Sequence, residues 1–100
     1  MALLKIAQPH ARAAAARGFH ALAGETRLRI LDLLRDGERC VCELQEWLGM
    51  SQSALSFHLK TMKDAGLLTD RRQGRWVYYR LNPAGLAALG ETLSELIKYS

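Results

Sequence analysis

The sequence is poor in the features that would announce an enzyme, a secreted scaffold or a membrane protein. It has only two cysteines in 100 residues. Two close cysteines build no disulfide framework, which excludes the stapled class of small secreted domain. No apolar run approaches the roughly 18 residues that cross a bilayer. The opening stretch, MALLKIAQPHARAAAARGFH, lacks the continuous apolar segment of a secretory signal. A cytoplasmic protein with no membrane partner is therefore expected. There is no internal repeat, no linker and no low-complexity tail beyond the alanines at 13–16. No Gly-rich phosphate loop, acidic pair or metal-hydrolase motif is present. Cys42 and His58 taken as a nucleophile and its base have nothing else behind them. No enzyme and no permanently bound cofactor are expected.

What is present is a basic stretch and a regular succession of elements. Charged residues make up 24% of a chain that is 49% apolar, so the chain folds around a core. The length corresponds to one domain, residues 1–100. The formal net charge is +4. Between Ser51 and Arg80 lie Lys60, Lys63, Arg71, Arg72, Arg75 and Arg80 against only Asp64 and Asp70. Elsewhere cations and acids balance, so the surplus sits in one contiguous segment. A localised basic surface is the electrostatic footprint of a nucleic-acid partner.

The periodicity predicts a first helix over about Pro9 to Ala23, after an N-terminal arm, together covering 1–23. Gly24 suits its end, and Thr26 is a candidate cap for a second helix ending at Gly37. A short helix follows around Glu43 to Leu48, then a turn at Gly49 and Met50. Ser51 is a candidate N-cap for SQSALSFHLKTMKDAG, with Ala54, Leu55, Leu59 and Met62 inward and Ser53, Ser56, Lys60 and Lys63 outward. Gly66 stops this helix. Helix, short Gly-containing turn, helix is a helix-turn-helix. LLTDRRQGRWVYYRL then reads as a β-hairpin with Gln73-Gly74 at its tip. Asn82-Pro83 opens a last helix, 83–99, with an apolar stripe of Leu86, Leu89, Leu93, Leu96 and Ile97. The fold expected is mainly α with a small β-hairpin, a winged helix-turn-helix of order α-α-α-α-β-β-α.

In this order, FHALAGETRLRILDLL, CVCEL, SQSALSFHLKTMKDAGLL and RRQGRWVYYRLNP resemble the ArsR/SmtB family of metal- and metalloid-responsive repressors. The resemblance runs from about Phe19 to Leu96. It implies a homodimer joined through the first and last helices, and operator binding that an inducer relieves.

In a helix-turn-helix the second helix lies in the major groove. Gln52, Ser53, Ser56 and His58 are the candidates for base edges, since Gln pairs with adenine and Ser serves several bases. His58 is equally well a backbone contact or a packed imidazole. Lys60, Lys63, Arg71, Arg72 and Arg75 are candidates for phosphate contacts, which add affinity and salt dependence. A single motif covers little DNA. A two-fold dimer presents two such helices about one DNA turn apart, so the double-stranded operator should be an imperfect palindrome. The stripe on the last helix serves as half core, half dimer seam.

Cys40 and Cys42 stand alone as Cys-Val-Cys. By itself this tripeptide is as well explained by buried packing. In the family the same tripeptide lies at the start of the helix before the recognition helix and is an inducer site. On a regular helix residues two apart point about 200° apart, so chelation from Cys40 and Cys42 requires an extended start. Soft thiolates select soft acceptors. The resemblance makes arsenite or antimonite the first choice of inducer. Some family members supply a third cysteine a few residues on, where this chain has Gln45, leaving a small thiol or water as third ligand. Family members that bind cadmium or lead use arm cysteines, where this chain has only His10 and His20. The zinc and nickel sites of the family, on the last helix, find only Glu91 and Glu95. The alternatives are a thiol-redox sensor, a sensor of another soft metal such as Cd, Pb or Cu, or a ligand-independent winged-helix regulator whose cysteines are core.

Overall fold

The computed structural model describes residues 9–100, with side chains from Arg12 onward. Its elements are α1 (Pro9–Leu22), α2 (Glu25–Leu34), β1 (Arg39–Cys40), α3 (Val41–Leu48), α4 (Gln52–Asp64), β2 (Leu68–Gln73), β3 (Trp76–Leu81) and α5 (Pro83–Lys98). The expected helices and hairpin are there, with one addition. A two-residue strand, β1, pairs antiparallel with β3 and turns the hairpin into a three-stranded sheet of order β1-β3-β2. Two residues give no readable alternation, which is why the pattern hides this strand.

Local chemistry sets the boundaries. The α2 helix starts at Glu25, so Thr26 lies inside its first turn and is not the cap. Gly24 is the N-cap instead, with φ of 118° and no side-chain cap. That backbone belongs to glycine. Gly49 closes α3 in the left-handed conformation, its N–H donating to the Gln45 carbonyl at 2.9 Å. Ser51 caps α4 as expected, its Oγ accepting from the Ala54 N–H at 3.2 Å. The hairpin pairs Gln73 with Trp76, so the turn residues are Gly74 and Arg75, one position later than the sequence suggested.

The main core joins Ile30 and Leu34 of α2, Leu44 of α3, Leu55, Leu59 and Met62 of α4, and Leu68 of β2. Each is essentially fully buried, a contribution of about 1.5–3 kcal/mol per side chain. The positions 55, 59 and 62 recur at helical spacing, so one face of α4 is committed to the core and the other is left to solvent. Leu31 and Leu48 are partly buried against it. A smaller cluster of Ala21, Leu67 and Leu89 seats α1 against α5.

The stripe on α5 divides. Leu89 is buried, whereas Leu93, Leu96 and Ile97 are 49%, 56% and 73% exposed. The start of α5 is fixed by Asn82, whose Nδ2 donates to the Gly66 carbonyl at 2.8 Å and whose N–H donates to the Leu67 carbonyl at 2.9 Å.

Candidate nucleic-acid interface and thiol site

The exposed face of α4 carries Gln52, Ser53, Ser56, Lys60 and Lys63. They recur at three- and four-residue spacings, so they form one surface. His58 does not share it. Its helical neighbours are Ala54, Leu55, Thr61 and Met62, on the inward side. The Arg27 Nε of α2 donates to His58 Nδ1 at 3.1 Å. The imidazole is thus a strut between α2 and α4. Partial burial, then the neighbouring Arg27 charge, holds its pKa below the usual 6.5. Of the readings the sequence left open for His58, the geometry is that of the packed imidazole.

The cations expected to meet phosphate are mostly paired within the chain. Lys60 Nζ lies 2.8 Å from Asp64 Oδ2, one turn along α4. Lys63 Nζ lies 3.0 Å from Asp70 Oδ2 on β2, which raises the lysine pKa. Arg71 Nε and Nη2 donate to Glu38 at 2.8–3.1 Å, Nη1 donates to Gln73 Oε1 at 2.7 Å, and the guanidinium lies 4.6 Å from the Tyr78 ring centroid. Arg72 is exposed, with no ion pair among the described residues. Arg75, in the hairpin turn, stacks on Trp76 at 5.1 Å. An exposed single contact such as Lys60–Asp64 is weak and screened by salt, so a phosphate can replace that carboxylate. The acids Glu38, Asp64 and Asp70 position the basic side chains. Asp64 meets Lys60 within one helix, whereas Glu38 and Asp70 reach their partners from other elements, which the sequence does not show.

The thiols sit at the junction of sheet and helix. Cys40 is at once the last residue of β1, paired with Tyr78, and the N-cap of α3, with extended backbone at φ −67° and ψ 144°. Cys42 lies in the first turn of α3. The break between extended and helical backbone falls between them, so the side chains converge. The two sulfurs are joined as a disulfide, with Cα atoms 5.2 Å apart, within the range such bridges occupy. Chelation and a bridge both require this same convergence. The Cys42 N–H donates to Cys40 Sγ at 3.1 Å, and the Cys40 N–H donates to Glu43 Oε1 at 3.0 Å. Together these form a capping box with sulfur in place of the usual hydroxyl. Cys40 is buried and Cys42 is exposed.

Among the described residues no group of three or more His, Cys, Asp or Glu could hold a metal ion. Glu43 thus completes no protein triad with the cysteines. The His20 side chain is exposed on α1, and the side chain of His10 lies outside the described residues. Glu91 and Glu95 are exposed on α5.

The sequence model described as "Bacterial regulatory protein, arsR family" matches residues 24–70. The arsenical resistance operon repressor of Escherichia coli is 53% identical over 66 residues, 65% of this chain and 56% of that one. The chain thus spans little more than half the length of the first curated relatives it matches. The transcriptional activator HlyU of Vibrio cholerae is 42% identical over 76 residues, 76% of this chain and 70% of that one. An HlyU structure superposes with a TM-score of 0.71 at 40% identity, covering 85% of this chain and 92% of that one. A homodimeric winged helix-turn-helix DNA-binding domain from Mycobacterium bovis, a possible ArsR-family regulator, superposes with a TM-score of 0.70 at 36% identity. It covers 85% of this chain and 79% of that one. The winged helix-turn-helix, the Cys-Val-Cys junction and these likenesses agree: the chain belongs to the ArsR family of bacterial regulatory proteins.

Proposed function

We propose that this chain is a homodimeric transcriptional repressor that leaves its operator when a thiophilic inducer, arsenite or antimonite, binds Cys40 and Cys42. The observation that carries this reading is the position of Cys40. It ends the strand paired to the wing and caps the helix before the recognition helix. A soft ion held by both sulfurs replaces the Cys42 N–H as the partner of Cys40 Sγ. That takes away the cap of α3 and bears on the pairing of Cys40 with Tyr78. Both effects reach elements that hold DNA. The two states then differ in DNA affinity, which is all an inducer acts upon.

Gln52, Ser53 and Ser56 face the bases in this reading. Lys60, Lys63, Arg71, Arg72 and Arg75 hold the backbone. The exposed Leu93, Leu96 and Ile97 of α5 supply the seam between two copies, and the operator is an imperfect palindrome. The third ligand of a trivalent metalloid comes from a small thiol or water.

The test is fluorescence anisotropy on DNA from the promoter upstream of the gene, titrated with arsenite under reducing conditions, with cadmium, zinc and peroxide in parallel. Arsenite is expected to release wild-type protein. The Cys40→Ser/Cys42→Ser variant is expected to stay bound, since serine keeps the cap of α3. DNA that stays bound through arsenite would sink the inducer assignment. A redox reading is favoured by one feature, the two sulfurs being already joined, and release by peroxide alone would select it.

A further inference from the structure

Neither the core nor the expected reading set accounts for Phe57. It is 64% exposed on α4. It stands four residues after Ser53 and three before Lys60, so it belongs to the same outward surface as both. Its backbone carbonyl accepts from Thr61 Oγ1 at 2.9 Å. The ring is braced from behind. The Arg27 guanidinium lies 5.9 Å from its centroid, and the His58 ring meets it edge-on at 6.0 Å. Arg27 is in turn held to His58. A large apolar ring fixed this way on an otherwise polar, cationic face is costly to leave in water. In the major groove the one apolar group on a base edge is the 5-methyl of thymine.

We infer that Phe57 is a specificity-determining residue that packs on a thymine methyl in the major groove, with Arg27 and His58 positioning its ring. The inference rests on α4 being the helix that enters the groove. Phe57 supplies discrimination that hydrogen-bonding side chains cannot, since uracil and thymine present the same O4 acceptor.

The test compares two duplexes. One is enriched by wild-type protein from a random-sequence pool. The other has the same sequence with every thymine replaced by deoxyuridine. Affinities are measured for wild type, Phe57→Ala and Phe57→Leu, each checked for fold by circular dichroism. Wild type should prefer the thymine duplex by about fourfold per buried methyl. Phe57→Ala should bind both duplexes alike, at the level of wild type on deoxyuridine DNA. Phe57→Leu should keep part of the preference. An unchanged thymine preference in Phe57→Ala overturns the inference, as does equal binding of both duplexes by wild type. If wild type enriches no DNA at all, it is the DNA-binding reading that fails.

Discussion

The carboxylate of Glu38, two residues ahead of Cys40, accepts from Nε and Nη2 of the wing residue Arg71 at 2.8–3.1 Å. Arg71 also lies over Tyr78, the strand partner of Cys40. The thiol segment and the wing are thus joined by a backbone ladder and by an ion pair. The Arg71 guanidinium, through its hydrogen bond, holds the Glu38 carboxyl below its usual 4.5.

Glu38→Gln should therefore weaken the link between thiols and wing. The ratio of DNA affinities without and with arsenite is expected to fall by roughly threefold or more, read by anisotropy. The pH signature follows from the lowered carboxyl pKa. The stabilisation is present above the unfolded pKa and is lost as pH falls through the folded one. Melting temperatures of wild type and Glu38→Gln should converge on acidification below 4.5. Parallel curves throughout would show the pair to be inert.

Cys40 and Cys42 are not equivalent in the fold. Cys40 is 5% exposed and caps α3, while Cys42 is exposed. Under reducing conditions Cys40→Ala should cost about 1 kcal/mol through the lost cap. Cys42→Ala should cost clearly less. Urea denaturation of both variants decides it. Equal losses would mean the sulfur cap contributes nothing.

His58 gives a second pH dependence, of opposite origin. Its folded pKa lies below 6.5 because burial and Arg27 disfavour the charged ring. The unfolded chain therefore binds the proton more readily, and stability rises with pH through the window below 6.5. His58→Gln should flatten the melting temperature there. A slope unchanged in the variant would assign it to other groups.

Two glycines of α5 should respond oppositely to alanine. A Cβ at Gly85 would collide with the Gly66 backbone carbonyl, whereas one at Gly90 meets open space. Gly90→Ala should stabilise by about 0.5–1 kcal/mol through helix propensity. Gly85→Ala should destabilise by roughly 1–3 kcal/mol, the usual range for an overpacked contact. Chemical denaturation of the two variants settles the signs.

The uncovered end of α5 makes the dimer testable. Ile97 is 73% exposed, so Ile97→Glu should leave the protomer folded. It should lower the mass seen by light scattering to that of one chain and weaken DNA binding with it. A variant that keeps a two-chain mass would move the seam elsewhere.

The local devices were legible because each acts on its own neighbours. Ser51 caps α4, Gly49 ends α3, Pro83 opens α5, and Leu55, Leu59 and Met62 repeat at the helical period. The requirement that chelation by Cys40 and Cys42 needs an extended helix start also followed from geometry alone, and Cys40 has that backbone. Thr26 misled because a residue in the first turn and a residue at the cap share the same composition.

By itself the sequence determined the kinds of element, their order, the core face of α4 and the basic segment, since propensity, capping and periodicity act within a few residues. Only the tertiary structure decided that Cys40 joins a strand of the wing sheet, that Glu38 and Asp70 engage Arg71 and Lys63, and that His58 turns inward to Arg27. It alone brought Gly85 against Gly66. Each of these depends on groups far apart in the chain meeting in space, and a charge or a ring carries no mark in the sequence of the distant partner that will neutralise or cover it.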